Sequence, residues 1–144
     1  MNKLTKQAMV GAAIALGLSG VSLADSGKKA CALDTLEGLY IFNATGYNIV
    51  SGVAQPKAIV EVIRFNGDGT LTVPASTHSI NGVVAQSPPG GTGTYTVDAT
   101  CTGTLAFTGG PSFDLFIPLK GDEFWMIQTN QNTVFQGNVV KVSR

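Results

Sequence analysis

The chain has 144 residues, with 9 Lys plus Arg balanced by 9 Asp plus Glu, and only 12% of its residues are charged against 44% hydrophobic. That length allows one domain with a modest core, and such sparse, balanced charge excludes the concentrated basic face that nucleic-acid binding needs. Two cysteines and one histidine are too few for a clustered metal site, so neither a metal nor a cofactor is expected.

The first element is an export signal. Lys3 and Lys6 give a basic start, Ala8 to Val21 is apolar and uncharged, and Ser22-Leu23-Ala24 places small residues where a signal peptidase reads them. The run is diluted by Gly11, Gly17, Ser19 and Gly20, and falls short of the roughly 20 strongly apolar residues of a membrane span. Leu18-Ser19-Gly20 is followed by Val21, which has no thiol to carry a lipid, so no membrane anchor is expected. Residues 1–24 are read as the signal and 25–144 as the domain, exported to the periplasm or beyond. Loss of Lys3 and Lys6 leaves 7 basic against 9 acidic residues, a net charge of −2. In an exported chain, Cys31 and Cys101 are expected to form a disulfide. Closing a loop of roughly 70 residues is worth about 4 kcal/mol at most.

From there the chain reads as strand after strand, with period-two alternation and glycine-rich punctuation. Leu39 to Ala44 alternates, with Tyr40, Phe42 and Ala44 on one face. Ala58 to Phe65 is nearly unbroken and apolar, which predicts a strand covered on both sides. Asn66-Gly67-Asp68-Gly69 predicts a hairpin turn into Thr70–Val73. Pro74 is expected to bend that strand or place it at an edge, because it lacks an N–H. His78 to Ala85 reads as one strand, broken or bulged at Asn81-Gly82, before the loop Ser87-Pro88-Pro89-Gly90-Gly91. Thr92–Val97 and Thr102–Thr108 flank Asp98-Ala99-Thr100; then follow Phe113–Leu119, Glu123–Thr129 and Val134–Val142, separated by turns at Gly109-Gly110-Pro111, Lys120-Gly121-Asp122 and Asn130-Gln131-Asn132.

Eight or nine short strands joined by tight turns make an antiparallel meander. Curling until first and last strands pair removes both exposed edges. The fold class is therefore all-β, a single antiparallel up-and-down β-barrel of about eight strands, with a two-sheet β-sandwich as the alternative. An eight-stranded barrel has room for packed side chains or one small ligand.

Cys31, Leu36-Glu37-Gly38-Leu39-Tyr40-Ile41-Phe42, Phe65 before Asn66-Gly67-Asp68-Gly69, Gly93-Thr94-Tyr95-Thr96-Val97, Cys101-Thr102-Gly103-Thr104, and Ile127-Gln128-Thr129 with Gly137 form a pattern across the chain. It resembles a group of small exported bacterial proteins. The resemblance implies a lipocalin-like or allene-oxide-cyclase-like β-barrel and a paired cysteine, and it implies no catalytic motif. Leu39 departs from the Thr or Ser common at that place.

Catalytic motifs are missing: no G-x-S-x-G elbow, P-loop, H-E-x-x-H or dinucleotide fingerprint occurs. Asn66-x-Asp68-Gly69 hints at a calcium loop, but Thr77 stands where an EF-hand needs glutamate. Asn43-Ala44-Thr45 is a glycosylation sequon, idle in a bacterial host. His78 reads as an ordinary strand histidine, because its neighbours Thr77 and Ser79 point to the opposite face.

Glu61 and Arg64 are the informative charges. They lie three apart in the apolar strand, so alternation sends them to opposite faces, Glu61 together with Ile59, Ile63 and Phe65. Whichever faces inward is a candidate ligand anchor, Glu61 as a carboxyl in an apolar pocket and Arg64 as a clamp for an acidic group. Tyr40, Phe42, Tyr95, Phe107 and Trp125 are expected to be buried and to line the interior. The sequence therefore points to an exported barrel that binds a small apolar or amphipathic molecule. The alternatives are a cyclase- or isomerase-type enzyme using Glu61, and an envelope or matrix component recognised by its outer surface. Oligomeric state is not legible from the sequence.

Overall fold

The computed structural model describes residues 30–143. The segment read as an export signal and its cleavage point lie outside them. A short 3-10 turn at Leu33–Thr35 leads into nine strands: β1 (Glu37–Val50), β2 (Val53–Asn66), β3 (Thr70–Ile80), β4 (Val83–Ser87), β5 (Gly91–Tyr95), β6 (Thr102–Phe107), β7 (Ser112–Phe116), β8 (Glu123–Gln128) and β9 (Thr133–Ser143).

Every pairing is antiparallel, and the first strand pairs with the last. Following the hydrogen bonds around gives β1-β2-β3-β5-β6-β7-β8-β9 and back to β1, an eight-stranded closed barrel, with β4 attached to β3 as one extra strand. A single closed sheet rules out the sandwich. No helix among the described residues is long and apolar enough to cross a membrane.

The strands on the N-terminal side are longer than the local alternation predicts. β1 and β2 form one hairpin paired from Glu37↔Asn66 to Val50↔Val53, turning at Ser51-Gly52. Gly46, Gly52 and Pro56 interrupt the alternation there, so the extension of both strands through residues 45–57 is missed by local pattern alone. The expected strand His78–Ala85 is two strands: Asn81 (φ 50) and Gly82 (φ 83) form a two-residue turn between β3 and β4. Positive φ at both central residues is what such a hairpin demands, and Asn-Gly supplies it at least cost. Pro74 lies where β3 changes neighbours. Before it Val73 pairs Gly91 of β5, and after it Ser76 pairs Ser87 of β4; the β2–β3 register also shifts there. A residue without an N–H is tolerated at that irregularity.

Alternation then fills the interior. Inward residues are Tyr40, Phe42 and Ala44 of β1, Glu61, Ile63 and Phe65 of β2, Leu71 and Val73 of β3, Tyr95, Leu105, Phe113, Leu115, Phe124, Met126, Phe135 and Val139, all buried. β2 is covered on one side only, since Val60 is 52% exposed on the outer face, against the expectation of a strand buried on both. Trp125 corrects a second expectation. It is 53% exposed, because Phe124 pairs with inward Val139, which turns its neighbour outward.

One end of the barrel is closed. Cys31 and Cys101 are joined by a disulfide spanning 70 positions, which ties the segment before β1 to the β5–β6 loop. Leu36 is completely buried beneath it. The Tyr95 hydroxyl shares its one proton between the carbonyl oxygens of Leu36 and Leu33, at 2.9 and 3.1 Å, and the Tyr40 hydroxyl donates to that of Gly121 at 3.0 Å. Each buried phenol thus has its partner, and burial pushes the Tyr40 hydroxyl up to about 12.

Adjacent positions on β8 test the face assignment. Phe124→Ala should destabilise by about 3–5 kcal/mol, as for buried aromatics elsewhere, whereas Trp125→Ala should change stability by less than about 1 kcal/mol. Urea unfolding of the two variants should separate them widely; similar losses would contradict this alternation.

Candidate functional site

The interior has two halves. Towards the closed end, Tyr40, Phe65, Tyr95 and Phe124 pack edge to face with ring centroids 5.0–5.8 Å apart. Towards the other end, Phe42, Phe107, Phe113 and Phe135 form a second edge-to-face group, with Phe42–Phe113 at 5.7 Å, Phe42–Phe135 at 6.2 Å and Phe107–Phe113 at 6.0 Å. The first group is solid core. The second forms part of the wall of a cavity of about 320 Å³, at the small end of the range for small-molecule sites.

Polar groups enter this cavity from β2 and β3. The register places Glu61 between Phe42 of β1 and Ser76 of β3, and the next inward pair, Ile59 and His78, is one step nearer the mouth. Lys57 follows on the same face of β2. All of these line the cavity, which the end of β4 (Ser87), the β4–β5 loop (Pro88) and the β6–β7 turn (Thr108, Pro111) border. Lys57 Nζ donates to Gln128 Oε1 at 3.2 Å and sits 4.1 Å from the centroid of the Phe135 ring. Burial lowers its proton affinity.

Glu61 is only 8% exposed. Its carboxyl is pushed up from 4.5 to about 7 by loss of solvent alone, with no neighbouring charge or hydrogen bond to offset that. Ser76 Oγ is also buried and has no hydrogen-bond partner. Such groups are rare in folded proteins, because each unpaired polar atom costs about 1–3 kcal/mol. Ser76 Oγ is such an atom, and the Glu61 carboxyl, which has no hydrogen-bond partner either, faces the same volume from the directly opposed position.

Larger depressions lie elsewhere, one of about 410 Å³ along Thr45–Tyr47 and Pro56–Ala58, and one of about 650 Å³ outside the closed end, near Asp34, Lys120 and Lys141. The first shares Lys57 with the cavity, and neither is lined by Glu61 or by a buried side chain without a partner such as Ser76. Among the described residues, no three His, Cys, Asp or Glu side chains gather as a metal site would need.

Of the residues singled out in the sequence, Glu61, Phe42 and Phe107 lie in the cavity wall. Arg64 is exposed on the outer face and cannot clamp an interior ligand. Tyr40 and Tyr95 are interior but belong to the closed end, with their hydroxyls occupied by backbone carbonyls, and Trp125 is outside. Lys57 and Ser76 were not singled out in the sequence, and His78, read there as an ordinary strand histidine, lines the cavity as well. Lys57 was within reach, since it continues the alternation of Glu61 and Ile59; Ser76 and His78 needed the β2–β3 register. No family model, curated protein or solved structure matches the chain.

Burial of Glu61 has a sign that can be measured. Its native proton affinity is raised, so between about pH 4.5 and 7 the native state holds a proton that the unfolded state has released. Its contribution is therefore fully favourable below about pH 4.5, falls as pH rises, and is lost above about pH 7, a swing of about 3 kcal/mol. Urea unfolding at both ends of that window should show Glu61→Gln flattening the decline and stabilising the protein mainly at the alkaline end. An unchanged pH profile in the variant would mean that Glu61 is solvated.

Proposed function

We propose that this protein binds a small, largely apolar molecule in the open half of its barrel and holds it by a polar group seated between Glu61 and Ser76. The supporting observation is that pair: a buried carboxyl and a buried hydroxyl, both without partners, facing one cavity walled by phenylalanine rings. Groups that cost stability when unpaired gain most from a partner that arrives with a ligand. At the deep end the rest of the wall is largely apolar and gives affinity without direction, so Glu61 and Ser76 set orientation there, with Lys57 and His78 nearer the mouth. The signal-like N-terminus and the disulfide agree with an exported binding protein working in an oxidising compartment.

A second reading has an observation of its own. With its proton affinity raised to about 7, Glu61 both takes and gives a proton readily near neutral pH, as a general acid or base must. An apolar substrate folded against the phenylalanine rings would then be isomerised or cyclised rather than only held. Glu61→Gln would lower turnover about a hundredfold while leaving binding nearly intact.

Titration with an environment-sensitive apolar fluorophore tests the binding reading. One site per chain is expected. Ser76→Phe, which fills the cavity, should weaken binding at least about tenfold, while Trp125→Ser on the outer face leaves it unchanged. Equal binding to the Ser76→Phe variant would place the ligand elsewhere and overturn the proposal.

A further inference from the structure

We propose that the cavity selects an organic cation, a primary amine carried on a small apolar or aromatic body, with its ammonium group at the deep end beside Glu61 and Ser76. This rests on the binding reading above and names the chemistry of the ligand.

With Glu61 ionised, the deep end is richer in acceptors than in donors: two carboxylate oxygens and the lone pairs of Ser76 Oγ against one hydroxyl proton. Glu61 and Ser76 oppose each other across β2 and β3, Ser76 Oγ has no partner, and neither a charge nor a hydrogen bond offsets the burial of Glu61. An ammonium group carries three donors and no acceptor. It can give one hydrogen bond to the Glu61 carboxylate and another to a lone pair of Ser76 Oγ, pairing both at once. It also supplies the opposite charge whose absence makes a buried carboxylate costly. A ligand hydroxyl has a single proton to donate and forms no ion pair. A ligand carboxylate offers no donor and sets a like charge against Glu61.

The wall also suits a cation. Phe42 lies directly across β1 from Glu61, and Phe42 packs edge to face with Phe113 and Phe135. Aromatic ring faces attract ammonium groups within about 6 Å. The cavity shows this at its mouth, where Lys57 Nζ already lies 4.1 Å from the centre of the Phe135 ring. Lys57 fixes the direction of entry as well. Four residues of strand, about 13 Å, separate it from Glu61. Its charge repels a second ammonium near the mouth, so the cationic end of the ligand goes inward and the apolar body trails towards Phe135. The other titratable side chain lining the cavity is His78, which faces Ile59 across the strands.

Three probes with closely similar carbon skeletons separate the possibilities: phenethylamine, phenethyl alcohol and hydrocinnamate, each titrated calorimetrically into the disulfide-bonded protein at about pH 8, where Glu61 is ionised. Phenethylamine should bind at least roughly thirtyfold more tightly than the alcohol, as expected for completing a desolvated charge pair, and hydrocinnamate more weakly still. Lowering the pH below about 7 should weaken the amine by about tenfold per unit, with one proton released from Glu61 as the amine binds. That dependence should persist in His78→Gln. Glu61→Gln should bring amine and alcohol to within about threefold of each other, and Ser76→Ala should narrow the gap several-fold. The inference is overturned if the alcohol or the acid binds as well as the amine, if amine preference survives Glu61→Gln, or if the apolar fluorophore binds while phenethylamine does not. In each of those cases cavity binding itself stands. If neither the fluorophore nor any probe binds, the binding reading fails with it.

Discussion

The pairing of the first strand with the last is the constraint on which the rest of the molecule depends. Once β1 and β9 close the ring, alternation assigns every side chain to inside or outside, and one register governs the whole circuit. Phe42 is drawn inward by its size, and its partner on β2 is then obliged to follow. That partner is Glu61, and its own partner on β3 is Ser76. Burial of the carboxyl is therefore imposed by its neighbours in the ladder. The closing seam is tight. A Cβ on Gly137 would run into the carbonyl of Asn43, and one on Gly46 into that of Val134, so glycine at these two places lets β1 and β9 approach across a sharply curved sheet.

The two ends of the barrel are built differently. At the closed end the disulfide, the buried Leu36 and the tyrosine hydroxyls tie the segment before β1 across the strands. A staple closing a long loop is worth up to about 4 kcal/mol, comparable with the cost of about 3 kcal/mol that burial of the ionised Glu61 carries. At the other end the packing gives way to a cavity in which Glu61 and Ser76 lack partners. An end that packs imperfectly but presents convergent polar groups is what the proposed binding role rests on.

Much of this was legible in the sequence. Strand alternation, the Asn66–Gly69 turn, the disulfide pair and the closed meander follow from local pattern, because each is set by residues close in the chain or by the only two cysteines present. The Glu61–Arg64 spacing showed that one charge had to face inward, but not which, since parity is set by the partner strand. Trp125 shows the same limit: both faces of Glu123–Gln128 are apolar enough to be core, and only the pairing of Phe124 with Val139 decides. Residues 45–57 are interrupted by Gly46, Gly52 and Pro56, yet continue β1 and β2 well past the barrel's apolar layers. Ser76, lying after a proline in a polar stretch, has no sequence signature, and it becomes a site residue only because β3 brings it opposite Glu61.

The central claim is that Glu61 sits buried and unpaired in the open half of the barrel. Following the side-chain carboxyl carbon of Glu61 by NMR through a pH titration of the ligand-free protein tests it most directly. A midpoint near 7, set by burial alone, is expected. A midpoint in the ordinary glutamate range, about 4.3, would show a solvated or paired carboxylate and would contradict the site described here.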